Sequence, residues 1–144
     1  MGAYKSNVYY KKSKQLTRYT DITIAYTESQ KIIATLTKML KFGNINKKLG
    51  ANYIKEVIKN GEEIKASINT IREKMPVEDF KEINELLNSQ QPKVYAYIDS
   101  FITGAVLIDE KLVIDDNFNT CQQAFCDMQL LIKKKLENLS EKLK

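Results

Sequence analysis

The sequence predicts an all-α protein, an antiparallel up-down-up-down four-helix bundle, and three observations carry that prediction. Four segments each hold apolar residues at a seven-residue repeat with core positions in the first and fourth places. Further apolar residues beside those positions, among them Ile32, Met39, Ile98 and Leu131, widen each stripe beyond a two-stranded seam, as a bundle interior requires. The connections between segments are short, so consecutive helices are expected as antiparallel neighbours, with both termini at one end.

The first helix is predicted over roughly 8–42, with a core line through Tyr19, Ile22, Tyr26, Ser29, Ile33, Leu36 and Leu40. Gly43-Asn44 supplies its stop, and Asn44 or Asn46 can cap the next helix. The second helix, roughly 45–75, presents Ile54, Val57, Gly61, Ile64, Ile68, Ile71 and Met75. Of these two helices, Ile33, Leu36, Ile64 and Ile68 hold the central positions and are expected in the core. Pro76 opens the third helix, roughly 77–113, in its first turn, where a missing N–H costs nothing and Glu78 and Asp79 meet the helix dipole. Its line is Phe80, Ile83, Leu87, Gln90, Val94, Tyr97, Phe101, Gly104 and Ile108. Pro92 falls inside that run and should kink or break it, so a five-helix arrangement with a turn at 88–92 is the alternative. Asp115, Asp116 and Asn117 offer caps for the fourth helix, roughly 117–143, whose line is Phe118, Cys121, Phe125, Met128, Ile132 and Leu139.

A chain of 144 residues without internal repeat or low-complexity tract reads as a single helical-bundle domain over 1–144, large enough for a core that needs no staples. No apolar run reaches the length of a membrane span, and Met1 to Lys14 lacks the apolar stretch of a signal peptide. The absence of histidine excludes histidine phosphotransfer, Glu-x-x-His di-iron sites and haem attached through Cys-x-x-Cys-His. Cys121 and Cys126 lie five residues apart, which on a helix points them to different faces and leaves two free thiols.

Charge is distributed unevenly along the chain. Residues 1–48 carry ten Lys/Arg against two acidic residues, whereas residues 76–116 carry three against nine. Solvated faces, together with attraction between first and third helices, account for most of this imbalance. The run Tyr9, Tyr10, Lys11, Lys12, Lys14, Arg18, Tyr19 is the stretch that best suits an anionic partner, with Lys133-Lys134-Lys135 a shorter second cluster. We therefore take Lys11, Lys12, Lys14 and Arg18 as a candidate interaction patch.

Met1-Gly2-Ala3-Tyr4-Lys5-Ser6 fits the N-myristoylation pattern, and the lysines after it would supply the second, polybasic signal that stable anchoring needs. Glu82 with Glu85, or Asp109 with Asp115, are the carboxylate pairs that acid/base or cation chemistry could use, but acidic surface helices carry such pairs as a matter of course. No catalytic residue, metal ligand or cofactor is assigned. If the helices pair about turns near 43 and 76, then Tyr26, Gly61 and Gln90 come level beside Pro92, a layer that is either interlocking by size or a small ligand pocket.

These residues point first to a non-catalytic bundle acting through a protein partner of unknown identity or at a membrane surface. A ligand-sensing extracytoplasmic domain of a membrane-tethered protein comes second, and a nucleic-acid-binding accessory protein third. In shape alone the bundle resembles the sensing domains of bacterial receptors and helical lipoproteins, a likeness that assigns no residue a role. Localisation follows the same division: cytoplasmic for a complete chain, extracytoplasmic for a piece of a tethered one. The sequence does not fix an oligomeric state.

Overall fold

The computed structural model of the chain describes residues 2–43, 50–91 and 93–143, and all their side chains except those of 2–7 and 42. From Ala3 to Phe42 the sequence has neither glycine nor proline, and it runs as one uninterrupted helix, α1 (Gly2–Gly43). Its many threonines are accommodated by turning their hydroxyls back into the helix. Thr17, Thr20, Thr23 and Thr27 each donate to the carbonyl four residues before, at 2.8–3.1 Å. The remaining helices are α2 (Ala51–Lys74), α3 (Val77–Asn88), α4 (Val94–Thr103) and α5 (Asp116–Leu143), with a short hairpin of β1 (Leu107–Ile108) and β2 (Lys111–Leu112) between α4 and α5.

The molecule is an all-α helical bundle. Its first neighbours are α1 and α2, held antiparallel by three cross-links: Lys38 to Glu56 at 2.7 Å, Ser67 Oγ donating to Glu28 at 2.8 Å, and Lys74 to Asp21 at 3.9 Å. Helix α5 lies along the other side of α1, and Ile114, just before it, fills the space a Cβ on Gly43 would need. Among the described residues the interhelical ion pairs of α1 are made with α2, and none with the acidic third segment, so the expected attraction between first and third helices does not take the form of ion pairs there.

The third segment departs from the continuous helix over 77–113 and follows the broken alternative. Helix α3 ends at Asn88 and packs on α5, where Lys135 reaches Asp79 at 3.0 Å and Glu82 at 3.2 Å. Helix α4 restarts at Val94 and packs on α2. Pro92 itself lies outside the described residues. Tyr95 Oη donates to Asn84 Oδ1 at 2.8 Å and ties the two halves together. Gly104, at φ 79°, ends α4 in the left-handed conformation that glycine adopts without strain. The hairpin then turns through Asp109 and Glu110, both at positive φ, and leaves Ile108 58% exposed rather than in a core line.

Helix α1 is described from Gly2, where the sequence put its start near 8, and α5 from Asp116, next to the expected 117. Asn44 and Asn46 lie outside the described residues, and the described α2 begins after Gly50. Pro76 is the N-cap of α3 rather than its first turn. Asp115 caps α5, its Oδ1 accepting the Phe118 N–H at 3.1 Å.

One contiguous core joins all five helices, with Phe101, Phe118, Phe125, Leu36 and Ile71 wholly enclosed. Along α5 every residue of the expected line is buried. On α1 the line is shifted by one residue at alternate positions: Ala25, Ile32 and Met39 are enclosed, while Tyr26, Ile33 and Leu40 flank the core half-buried. Leu36, Ile64 and Ile68 are core residues as expected; Ile33 yields its place to Ile32. Gly61 lets α2 and α4 approach closely, since a Cβ there would lie 2.8 Å from Phe101 Cβ and 3.2 Å from the Ile102 backbone nitrogen.

Candidate interaction surface

The cross-links of α1 to α2 set a register with a consequence at each end. Lys74, the last residue of α2, reaches Asp21, so α1 continues beyond that level by several turns. From Val8 to Lys14 every residue is exposed. These turns form an overhang on the same end of the bundle as the α2–α3 connection. Twelve residues, 2–13, add about 18 Å at 1.5 Å per residue.

Four cations that make no ion pair among the described residues lie on the overhang and the turn that joins it to the bundle. Lys11, Lys14 and Arg18 recur at helical spacing and, with Gln15, line one shallow groove on a single face. Lys12 lies on another face, four residues before Leu16. Among the described residues Lys11, Lys12, Lys14 and Arg18 make no ion pair, whereas Lys38, Lys65, Lys74 and Lys135 are all engaged. Two aromatic side chains stand beside the cations, Tyr9 77% and Tyr10 67% exposed, and Leu16 is 58% exposed. Tyr19, one turn further in, is half-buried against the core. The structure thus brings Lys11, Lys14 and Arg18 together on one exposed face and places Lys12, also exposed, on another. The acylation pattern at residues 1–6 falls on Met1, outside the described residues, and on side chains the structure does not describe.

The second basic cluster is divided. Lys135 is drawn inward: burial lowers its pKa, but the bonds to Asp79 and Glu82 outweigh that and raise it. Lys133 and Lys134 remain exposed.

Tyr26, Gly61 and Gln90 do not converge. The observed register puts Gly61 level with Ala34 and against Phe101 and Ile102, while Tyr26 lies two turns nearer the overhang and Gln90 sits in the α3–α4 connection. The expected register failed because α1 runs to Gly43 and the described α2 starts only at Ala51, which moves the pairing by two turns. Among the carboxylates, Glu82 is bound to Lys135, and Asp109 forms the hairpin turn. Among the described residues no three His, Cys, Asp or Glu side chains cluster as metal ligands would, and no helix is long and apolar enough to cross a membrane.

Two buried polar side chains lack partners among the described residues: Tyr97, on the expected core line, and Asn60, which sequence reasoning missed. Asn60 is 1% exposed with neither amide atom partnered among the described residues, and the hydroxyl of Tyr97 is likewise without a partner. Each costs about 1–3 kcal/mol relative to a satisfied group. Tyr97 is held by an edge-on contact with Phe101, ring centroids 5.1 Å apart, and burial drives its phenol well above the usual range. Asn60 breaks no apolar repeat in the sequence, since it stands beside the expected core position Gly61, and no signal there marks it as enclosed.

No protein-family model, curated protein or solved structure matches the chain.

Proposed function

We propose that the protein is a non-catalytic helical bundle that docks, through the basic overhang of α1, on a membrane surface bearing anionic lipid. The observation that carries this reading is the coincidence of cations that make no ion pair among the described residues with exposed tyrosines and Leu16 on the solvent-exposed first turns of α1. Cations alone would suit a nucleic-acid backbone equally well. Exposed Tyr9, Tyr10 and Leu16 favour a surface with an apolar interior beneath its charge, because aromatic rings settle at headgroup level and the leucine gains by leaving water.

Four cations near an anionic leaflet contribute about 1 kcal/mol each, which gives about 4 kcal/mol and a millimolar contact. A contact that weak orients a protein at a surface and holds it there only with a second tie or in several copies.

The test compares vesicles with nucleic acid at equal salt. Phosphatidylserine vesicles should retain the protein at low salt, neutral vesicles should not, and Lys11→Glu with Lys12→Glu should abolish retention. Tighter binding to duplex or single-stranded nucleic acid than to the anionic vesicles, lost in the same variant, would replace the membrane reading with the nucleic-acid one.

A further inference from the structure

Where the overhang meets the bundle, a groove of about 490 Å³ opens between α1 and the α2–α3 connection. Its α1 wall presents Tyr10, Lys14 and Arg18, and its opposite wall Lys74, Met75 and Pro76. Lys14 and Arg18 are one turn apart on the same face, and both line this groove as well as the shallow one beside Lys11. Lys74 comes from a different helix, which makes this the place where the cations of the overhang are joined by one from the bundle. Among the described residues Asp21 is the single carboxylate lining the groove, 3.9 Å from Lys74. That pair is at the limit of ion-pair distance with both side chains over a third exposed, 40% and 37%. Such pairs contribute little, so Lys74 can turn to a better anion at small cost.

We propose that this groove binds a phosphomonoester, the chemistry shared by a phosphorylated lipid headgroup and a small phosphate ester in solution. Three cations against one carboxylate leave a surplus of two charges, which matches a phosphomonoester at neutral pH, about −1.5 to −2. A phosphodiester or a carboxylate carries half of that. The Arg18 guanidinium supplies two parallel donors to adjacent phosphate oxygens, and Lys14 and Lys74 supply point charges from either side. The Tyr10 ring and Pro76 give the groove apolar walls suited to the carbon skeleton of the ester. The proposal rests on the overhang being the contact element of the molecule and adds a preference that charge alone would not produce.

The experiment uses the full chain with vesicles of matched surface charge, containing either phosphatidic acid or phosphatidylserine, and with glycerol 3-phosphate in solution. Four variants separate the groove from net charge. Lys74→Gln and Asp21→Asn change it at the groove; Lys55→Gln and Glu62→Gln make the same changes elsewhere on α2, at exposed positions. Phosphatidic acid vesicles should be preferred. Lys74→Gln should weaken that binding about three- to five-fold and Asp21→Asn should strengthen it about as much, with little change in the other two. Competition by glycerol 3-phosphate, with shifted amide resonances at Lys14, Arg18 and Lys74, would identify a free ester as a ligand. Preference for phosphatidic acid without such competition would identify the headgroup in its bilayer.

Equal retention on both vesicles, with all four variants following net charge, overturns the groove and leaves membrane docking intact. Shifted groove resonances without binding to any anionic vesicle overturn membrane docking and leave the groove intact. Neither vesicle binding nor resonance shifts overturns both.

Discussion

Helix α1 is one unbroken helix with two different physical lives. From Ile22 to Met39 it carries an enclosed apolar line, and its register is pinned by Glu28, Lys38 and Asp21. From Val8 to Lys14 every residue of the same helix is exposed, and on to Arg18 it carries exposed aromatic and aliphatic side chains and cations that make no ion pair among the described residues. Isolated helical turns of this length gain little from intrinsic propensity, so the overhang is helical largely because the enclosed half has already nucleated it. The inner half therefore sets stability, and the outer half is free to be chosen for what it touches.

The largest expected effects test the inner half. Ile32→Ala or Leu36→Ala should cost about 2–5 kcal/mol, because both side chains are wholly enclosed. Leu16→Ala, on the overhang, should stay within about 0.5 kcal/mol. Chemical denaturation of the three variants checks this, and a comparable loss for Leu16→Ala would mean that the overhang is packed after all. Gly61→Ala should come next. A helix interior prefers alanine to glycine by about 1 kcal/mol. Against that, the new methyl would lie 2.8 Å from Phe101 Cβ, which cannot swing aside as the end of a long chain could. Overpacking of that kind costs about 1–3 kcal/mol, so the variant should melt lower than the parent. A higher melting temperature would show that α2 and α4 can separate freely.

A smaller effect concerns the two thiols. Cys121 is enclosed on α5 and burial pushes its pKa up to about 12, whereas Cys126 is half-buried; both are free. Under native conditions a thiol reagent should modify Cys126 well before Cys121, and in denaturant both should react. Because the folded pKa of Cys121 lies above its unfolded value, its protonated form favours the fold. That contribution is fully present below pH of about 8.5 and is lost as pH rises toward 12. Alkaline destabilisation over that window should be shallower in Cys121→Val; an unchanged slope would remove Cys121 as its source.

How far the sequence disclosed all this differs from element to element. Helix α5 was fully legible, since Phe118, Cys121, Phe125, Met128, Ile132 and Leu139 form one unambiguous line after a good cap at Asp115. On α1 two adjacent lines compete, because Ile32 and Ile33, and Met39 and Leu40, are equivalent by type. A strict seven-residue count cannot choose between them over so long a helix. The third segment misled because Phe101, Gly104 and Ile108 keep the spacing of a core line although Gly104 ends the helix. The hairpin that follows turns on Asp109 and Glu110, not on the Asn-Gly or Asp-Gly that would announce it. The basic patch was visible as a run of residue types. Its isolation was not, because that depends on where α2 ends, at Lys74, and no feature of residues 8–18 encodes it. The layer of Tyr26, Gly61 and Gln90 failed for the same reason: levels across a bundle follow from connection lengths, which sequence patterns fix least well.

The most direct test of the docking reading removes the overhang and leaves the bundle. A variant lacking residues 2–12 should melt at the parent's temperature and keep its helical spectrum per residue. It should also lose cosedimentation with phosphatidylserine vesicles at low salt, which the parent shows. Retention undiminished by the deletion would contradict the account.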